Sequence, residues 1–187
     1  MADLEYVGRG GLKIQSVANK LGLNFRDKIV LDVGSSTGGF TDFALQHGAS
    51  KVIAVDLGVM QLHKSLRINP KVEIHEKTDI LSVKELSGEP DMILMDLSFV
   101  SLRNILPGML NIIPKKAEMA VLVKPQFEAS RDEKIKGIIK NDRIRRQILK
   151  DFESWASKYF IILDKADSEI HGSKGNSERF YLLKKVS

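Results

Sequence analysis

The run Asp32-Val-Gly-Ser-Ser-Thr-Gly-Gly-Phe-Thr41 follows the short apolar segment Ile29-Val-Leu31 and leads into apolar positions at Phe40, Phe43 and Ala44. An apolar strand that ends in an acid and a glycine cluster, then takes up helical periodicity, is the strand, turn and helix start of a doubly wound α/β unit. Gly34, Gly38 and Gly39 allow a nucleotide-shaped ligand to approach the backbone closely. This one run decides the fold class.

The glycine spacing answers part of the question of which nucleotide. A dinucleotide site carries G-x-G-x-x-G with the pyrophosphate on the helix N-terminus, whereas this chain reads D-x-G-x-x-x-G-G. Asp32 is a poor neighbour for a pyrophosphate and a good one for a cationic amino-acid end, such as the methionine portion of S-adenosylmethionine. The second expected strand, Lys51-Val-Ile-Ala-Val-Asp56, ends in an acid able to accept from ribose hydroxyls, at about the 20-residue interval usual for that group. Asp79, in Lys77-Thr-Asp-Ile80, stands where such folds contact the adenine amino group. The expected cofactor contacts are Asp32, Gly34, Ser35, Ser36, Thr37, Gly38, Gly39, Phe40, Asp56, Leu57, Asp79 and Ile80, joined by Asp96 below. Other Rossmann-type proteins also carry a glycine turn and a later acid. A nicotinamide-dependent oxidoreductase is one such reading, and it needs the spacing this chain lacks.

Hydrophobic periodicity predicts strands near 29–33, 51–56, 72–76, 92–96, 119–124, 159–165 and 179–185. Helices are predicted over 11–21, 39–46, 60–67, 102–110 and 142–157. Seven strands with intervening helices match the Rossmann-like, seven-stranded layout of S-adenosylmethionine-dependent methyltransferases, a mostly parallel sheet whose last strand inserts antiparallel beside its neighbour. At 187 residues and 43% hydrophobic content, the chain is long enough for one sizeable core, so a single domain over 1–187 with a tail over 1–8 is expected.

Zero cysteines exclude disulfides, thiolate zinc sites and a cysteine nucleophile, and fit a reducing cytoplasm. No apolar run approaches the roughly 20 residues of a membrane span, and Met1-Ala-Asp-Leu-Glu lacks a signal-peptide pattern. The expectation is a cytoplasmic protein without a membrane partner. His47, His63, His75 and His171 show no ligand spacing, so no metal is expected.

Ligands of open α/β sheets bind outside the carboxyl ends of the strands. Met92-Ile-Leu-Met-Asp96 ends in an acid and Met119-Ala-Val-Leu-Val-Lys124 in a lysine, so Asp96 and Lys124 are expected in one cleft. An ion pair capping two adjacent strands would use the same residues. Methylation of a ribose hydroxyl would need more, because that weak nucleophile requires a base or a cation to steer its proton. Lys13 in Arg9-Gly-Gly-Leu-Lys13 and Glu178 in Gly175-Asn-Ser-Glu178 supply a second lysine and a second acid, residue types that are usually solvated.

Five segments together resemble the TlyA (hemolysin A-type) rRNA methyltransferases, within the wider FtsJ/RrmJ-like 2′-O-methyltransferase fold. They are Arg9-Gly-Gly-Leu-Lys13, the glycine run at 32–41, Met95-Asp-Leu-Ser-Phe-Val-Ser101, Val123-Lys-Pro-Gln-Phe-Glu128 and Gly175-Asn-Ser-Glu178. The resemblance implies S-adenosyl-L-methionine as cofactor, ribosomal RNA or a ribosomal subunit as partner, and a Lys-Asp-Lys-Glu tetrad at Lys13, Asp96, Lys124 and Glu178. It further implies that Lys124 activates the 2′-hydroxyl, that Asp96 orients it, and that Lys13 and Glu178 complete the charge arrangement. Members of that family carry an N-terminal RNA-binding domain where only about six residues stand here, so this domain is expected to be absent. Gly8 and Ser173 replace an expected serine and proline, and a glycine-rich loop is reduced to Lys136-Gly137-Ile138.

A net charge of +5 favours a polyanionic partner. Between Arg131 and Lys150 stand eight Lys or Arg residues against Asp132, Glu133 and Asp142. A solvated helix face accounts for such a run, while its position after the Lys124 strand favours phosphate contact. The expected RNA contacts are Arg9, Arg131, Lys140, Arg143, Arg145 and Arg146. A catalytically idle RNA-binding module remains an alternative, as does the haemolysin activity in the family's name, although no segment resembles a membrane-inserting element.

Overall fold

The computed structural model of the chain describes residues 5–130 and 137–186. One seven-stranded sheet organises it, made of β1 (Ile29–Val33), β2 (Lys51–Val55), β3 (Val72–His75), β4 (Met92–Met95), β5 (Glu118–Val123), β6 (Phe160–Asp167) and β7 (Arg179–Lys185). The order across the sheet is β3-β2-β1-β4-β5-β7-β6. β1 to β5 are parallel, and β7 runs antiparallel to both β5 and β6. This is the architecture expected from the sequence.

Four of the five residues of β1 and of β2 are buried, as are all of β4. Such continuous apolar runs belong to strands covered on both faces. Alternate residues supply two cores: Leu31, Val33, Ile93 and Val121 on one face, Val30, Val52, Leu94 and Leu122 on the other. The first face is closed by α4 (Leu102–Ile105) and α6 (Asp142–Ala156) through Leu102, Leu149 and Phe152. The second is closed by α1 (Arg9–Ala18) and α2 (Gly39–Gln46) through Ile14, Val17, Phe40, Phe43 and Ala44. Among the described residues, no helix is long and apolar enough to cross a membrane.

Three helices depart from the periodicity. α1 begins two residues before the predicted start, at Arg9, and ends at Ala18, where Gly22 (φ 60°) lets the Leu23 amide return to the Ala18 carbonyl. The helix expected over 60–67 is only α3 (Lys64–Arg67), because Met60 adopts a left-handed φ of 55° and the true start is capped by His63, whose side chain accepts from the Ser65 amide. The helix expected over 102–110 stops at Ile105, since Pro107 has no N–H to continue the ladder. A short helix unforeseen in the sequence, α5 (Pro125–Glu128), follows β5 with proline in its first turn.

Candidate active site

The strand order reverses between β1 and β4, where Brändén's rule places a crevice. A cleft of about 740 Å³ opens there, beside Gly34–Thr37 from the glycine turn and Asp96, Ser98 and Lys124 from the neighbouring strand ends. Gly34 has a φ of 82°, and a Cβ on it would lie 2.8 Å from Leu97 Cδ2 and 3.0 Å from the Asp96 carbonyl oxygen. Glycine thus brings the β1 turn against the end of β4. At Gly39 a Cβ would stand 2.7 Å from the Gly11 amide nitrogen and 3.0 Å from Gly10 Cα. The absence of side chains there lets the start of α1 pack directly on the start of α2 and carries Lys13 to the cleft.

Asp32 is fully buried behind the turn; Thr41 Oγ1 donates to its Oδ2 at 2.6 Å, and its Oδ1 has no partner. Burial pushes its carboxyl up to about 7, against the Thr41 hydrogen bond that lowers it. Ser36 (φ 49°) and Gly58 donate their amides to the two carboxylate oxygens of Asp56, at 2.8 and 2.6 Å. Asp79 caps the 3-10 turn Ile80–Ser82 by accepting from the Leu81 amide. The expected cofactor set therefore divides. Gly34, Ser35, Ser36, Thr37, Gly39, Phe40 and Asp96 line the cleft, whereas Asp32, Gly38, Asp56, Leu57, Asp79 and Ile80 are not among its lining. Phe40 also packs its ring 5.8 Å from that of Phe180.

Lys13, Asp96, Lys124 and Glu178 come together at the cleft. Glu178 Oε2 accepts from Lys13 Nζ at 2.7 Å; Lys13 Nζ lies 3.9 Å from Asp96 Oδ2; Lys124 Nζ lies 2.5 Å from Asp96 Oδ1. Glu178 is 1% exposed, and Lys13 and Lys124 are 8% exposed. Charges so far from water persist only when paired, and here acid and base alternate along one line. Two residues extend it: Lys124 Nζ donates to Ser98 Oγ at 2.7 Å, and Gln126 Nε2 donates to Glu178 Oε1 at 3.2 Å.

The two motifs that supply Asp96 and Lys124 are stapled together by Glu128. Its buried carboxylate accepts from Ser101 Oγ at 2.6 Å and from the Leu102 amide at 2.7 Å, with Arg103 Nε at 3.4 Å. Burial raises the Glu128 carboxyl above its ordinary value, against the Ser101 and Leu102 hydrogen bonds and the Arg103 charge that lower it. Phe99, inside the stapled loop, has a φ of 66°, is 91% exposed and places its ring 5.2 Å from that of Phe127. Ser98, Gln126 and Glu128 were not foreseen as site residues, although all three lie inside the quoted motifs. Lys174 and Asn176 also line the cleft. Asn176 ties residues 137–139 to it, accepting from the Ile139 amide and donating to the Gly137 carbonyl.

The expected RNA contacts are dispersed. Arg9 lines the cleft and donates to the His171 carbonyl at 2.9 Å. Lys140, Arg143 and Arg146 are exposed, and Arg131 lies outside the described residues. Arg145 differs from its neighbours: its guanidinium pairs with Asp167 at 2.7 Å and donates to the Ser177 carbonyl at 3.1 Å. Burial alone would raise the Asp167 carboxyl, but Arg179 and Arg145 hold it at about 2. No group of three or more His, Asp or Glu among the described residues is arranged to hold a metal ion.

The family pattern described as FtsJ-like methyltransferase matches residues 6–185. The chain is 38% identical to the 23S rRNA (cytidine-2′-O)-methyltransferase TlyA of Campylobacter jejuni, over 94% of its own length and 70% of that protein's. It is 39% identical to the Bacillus subtilis protein YqxC over 94% of its length, and spans 64% of that relative. A Streptococcus thermophilus structure, provisionally named a hemolysin, superposes with a TM-score of 0.94 at 36% identity, covering 99% of this chain and 69% of that one.

Proposed function

Given that this chain belongs to the FtsJ-like methyltransferase family, we propose that it transfers a methyl group from S-adenosylmethionine to a ribose 2′-hydroxyl of ribosomal RNA. The observation that carries the proposal is the line Glu178, Lys13, Asp96, Lys124 at the cleft. Methylation of a ring nitrogen needs no group to remove a proton from a weakly acidic hydroxyl. A ribose hydroxyl does.

The residues suit the cofactor. The cleft volume falls within the roughly 300–1,000 Å³ of small-molecule sites. Asp32, buried with an unpartnered oxygen directly ahead of the glycine turn, fits a cationic amino-acid end and opposes a pyrophosphate. Gly34, Ser35 and Ser36 of the cleft, with Gly38, would hold the amino-acid portion; Asp56 for the ribose and Asp79 for the adenine stand outside the cleft's lining. When bound, the cofactor supplies a sulfonium methyl open to in-line attack.

Lys124 takes the hydroxyl proton on Nζ. Asp96 holds that nitrogen by its 2.5 Å contact, which limits where an incoming hydroxyl can sit. Lys13 shares the Asp96 carboxylate from 3.9 Å. Glu178, kept in place by Gln126, prevents the Lys13 charge from being left unpaired. The exposed ring of Phe99 at the cleft mouth offers a base a stacking face. The name of the Campylobacter relative makes cytidine the first base to test.

Labelled methyl should pass from S-adenosylmethionine to ribosomal subunits or naked rRNA and, after digestion to nucleosides, be recovered on 2′-O-methylcytidine. Label recovered only on a base carbon or nitrogen would contradict the proposal.

A further inference from the structure

We infer that Ser98 is a positioning residue for Lys124, fixing the direction in which that amine presents its lone pair. The inference rests on the proposed methyl transfer and deepens it. Ser98 Oγ lies 2.7 Å from Lys124 Nζ and lines the cleft. The tetrahedral side-chain nitrogen is bonded to its own Cε, donates to Ser98 Oγ and lies 2.5 Å from Asp96 Oδ1. The inference places the substrate hydroxyl at the position these three leave open among the described residues.

An uncharged lysine has two hydrogens and one lone pair to distribute. The Asp96 carboxylate is only an acceptor, so it requires a hydrogen. Ser98 takes the second hydrogen, and the lone pair is left at the open position. With Ser98 absent, one hydrogen has no partner and rotation about the Cε–Nζ bond carries the lone pair away from the hydroxyl it must meet. Proton balance follows the same geometry. The hydroxyl O–H bond breaks and an N–H bond forms at the open position, while the new O–CH3 bond replaces the sulfonium S–CH3 bond and sulfur keeps the electron pair. The resulting ammonium then has a hydrogen toward Asp96, one toward Ser98 and one toward the methylated oxygen.

The surroundings of Lys124 point to Ser98 for this task. Its other neighbours among the described residues are Asp96 from the end of β4, with Lys13 of α1 and Glu178 just before β7 beyond that carboxylate, and the Phe127 ring of α5 at 5.9 Å. Ser98 itself stands between Asp96 and the stapled pair Ser101–Leu102, so Glu128 keeps its hydroxyl in range.

The test uses Ser98→Ala and Ser98→Thr in the intact chain, with two readouts. Single-turnover methyl transfer across pH should fall about tenfold on the plateau for Ser98→Ala, with its acid limb moved to lower pH because a hydrogen bond to the ammonium form is lost. Cofactor affinity should stay unchanged, and Ser98→Thr should restore both plateau and limb. In the protein without RNA, the 15Nζ signal of Lys124, assigned by its loss in Lys124→Ala, should be protected from hydrogen exchange in the parent and Ser98→Thr proteins and not in Ser98→Ala. A Ser98→Ala protein with parental plateau, limb and 15Nζ protection would overturn the inference and leave the methyl-transfer reading intact. Absence of transfer by the parent protein would overturn both.

Discussion

Glu178 and Lys13 stand 165 positions apart in the chain, yet their charged atoms meet at 2.7 Å. The contact joins the residue just before β7 to the first helix, α1, and both partners are almost excluded from water. Removing one partner strands the other. Glu178→Ala is therefore expected to destabilise the protein by about 3 kcal/mol, the scale of a broken buried ion pair, while Glu178→Gln should cost less. The joint replacement Lys13→Met with Glu178→Met should recover much of the loss. Urea unfolding measures all three, and a double variant no more stable than Glu178→Ala would refute the pairing as the cause.

Glu128 is predicted to matter through the loop it staples. Glu128→Ala should cost roughly 2 kcal/mol for the hydrogen bonds to its carboxylate, and should slow methyl transfer by letting Asp96 and Ser98 drift from Lys124. Cofactor affinity should change little. Thermal unfolding and single-turnover rates check this, and an unchanged rate beside a lowered Tm would confine Glu128 to stability.

Asp32 sets an expected pH dependence of the protein without cofactor. Its folded-state carboxyl is raised from 3.8 to about 7 by burial. Below about pH 4 both states hold the proton and Asp32 contributes nothing. As pH rises from there to 7 the unfolded chain ionises first, so the folded state binds more protons and stability falls. Above 7 the penalty is constant, on the order of 4 kcal/mol. Asp32→Asn should flatten this slope, being more stable than the parent at pH 8 and not at pH 4. Denaturant unfolding across that window would show parallel curves if Asp32 were not responsible.

The basic segment divides into two roles. Alanine at both Arg143 and Arg146 is expected to lower the salt dependence of RNA binding, by about 0.7 in log–log slope per lost contact to single-stranded phosphate. Arg145→Ala should leave that slope unchanged and reduce stability instead, because Asp167 and the Ser177 carbonyl lose a partly buried donor. Binding isotherms at several salt concentrations distinguish them; equal slopes for the double variant and the parent would remove α6 from the RNA interface.

The strand ends were legible in the sequence because a buried parallel strand writes itself as an unbroken apolar run, and the polar residue that follows it must face the crevice. Asp96 and Lys124 were readable on that ground. Lys13 and Glu178 were not, since periodicity carries no information about a contact across 165 positions, and only the family resemblance singled them out. Ser98 and Glu128 were visible as letters of motifs, but their hydrogen bonds depend on how two loops meet over the sheet. The helix expected over 60–67 failed for a local reason: Met60 takes a left-handed conformation that a hydrophobic pattern does not encode.

The central claim is that Lys124 takes the hydroxyl proton. Single-turnover transfer of labelled methyl to rRNA by Lys124→Ala, beside the parent protein and with calorimetric titration of the cofactor, tests it most directly. The account predicts a rate at least about 100-fold lower with cofactor affinity retained. A Lys124→Ala protein that methylates at close to the parental rate would contradict it.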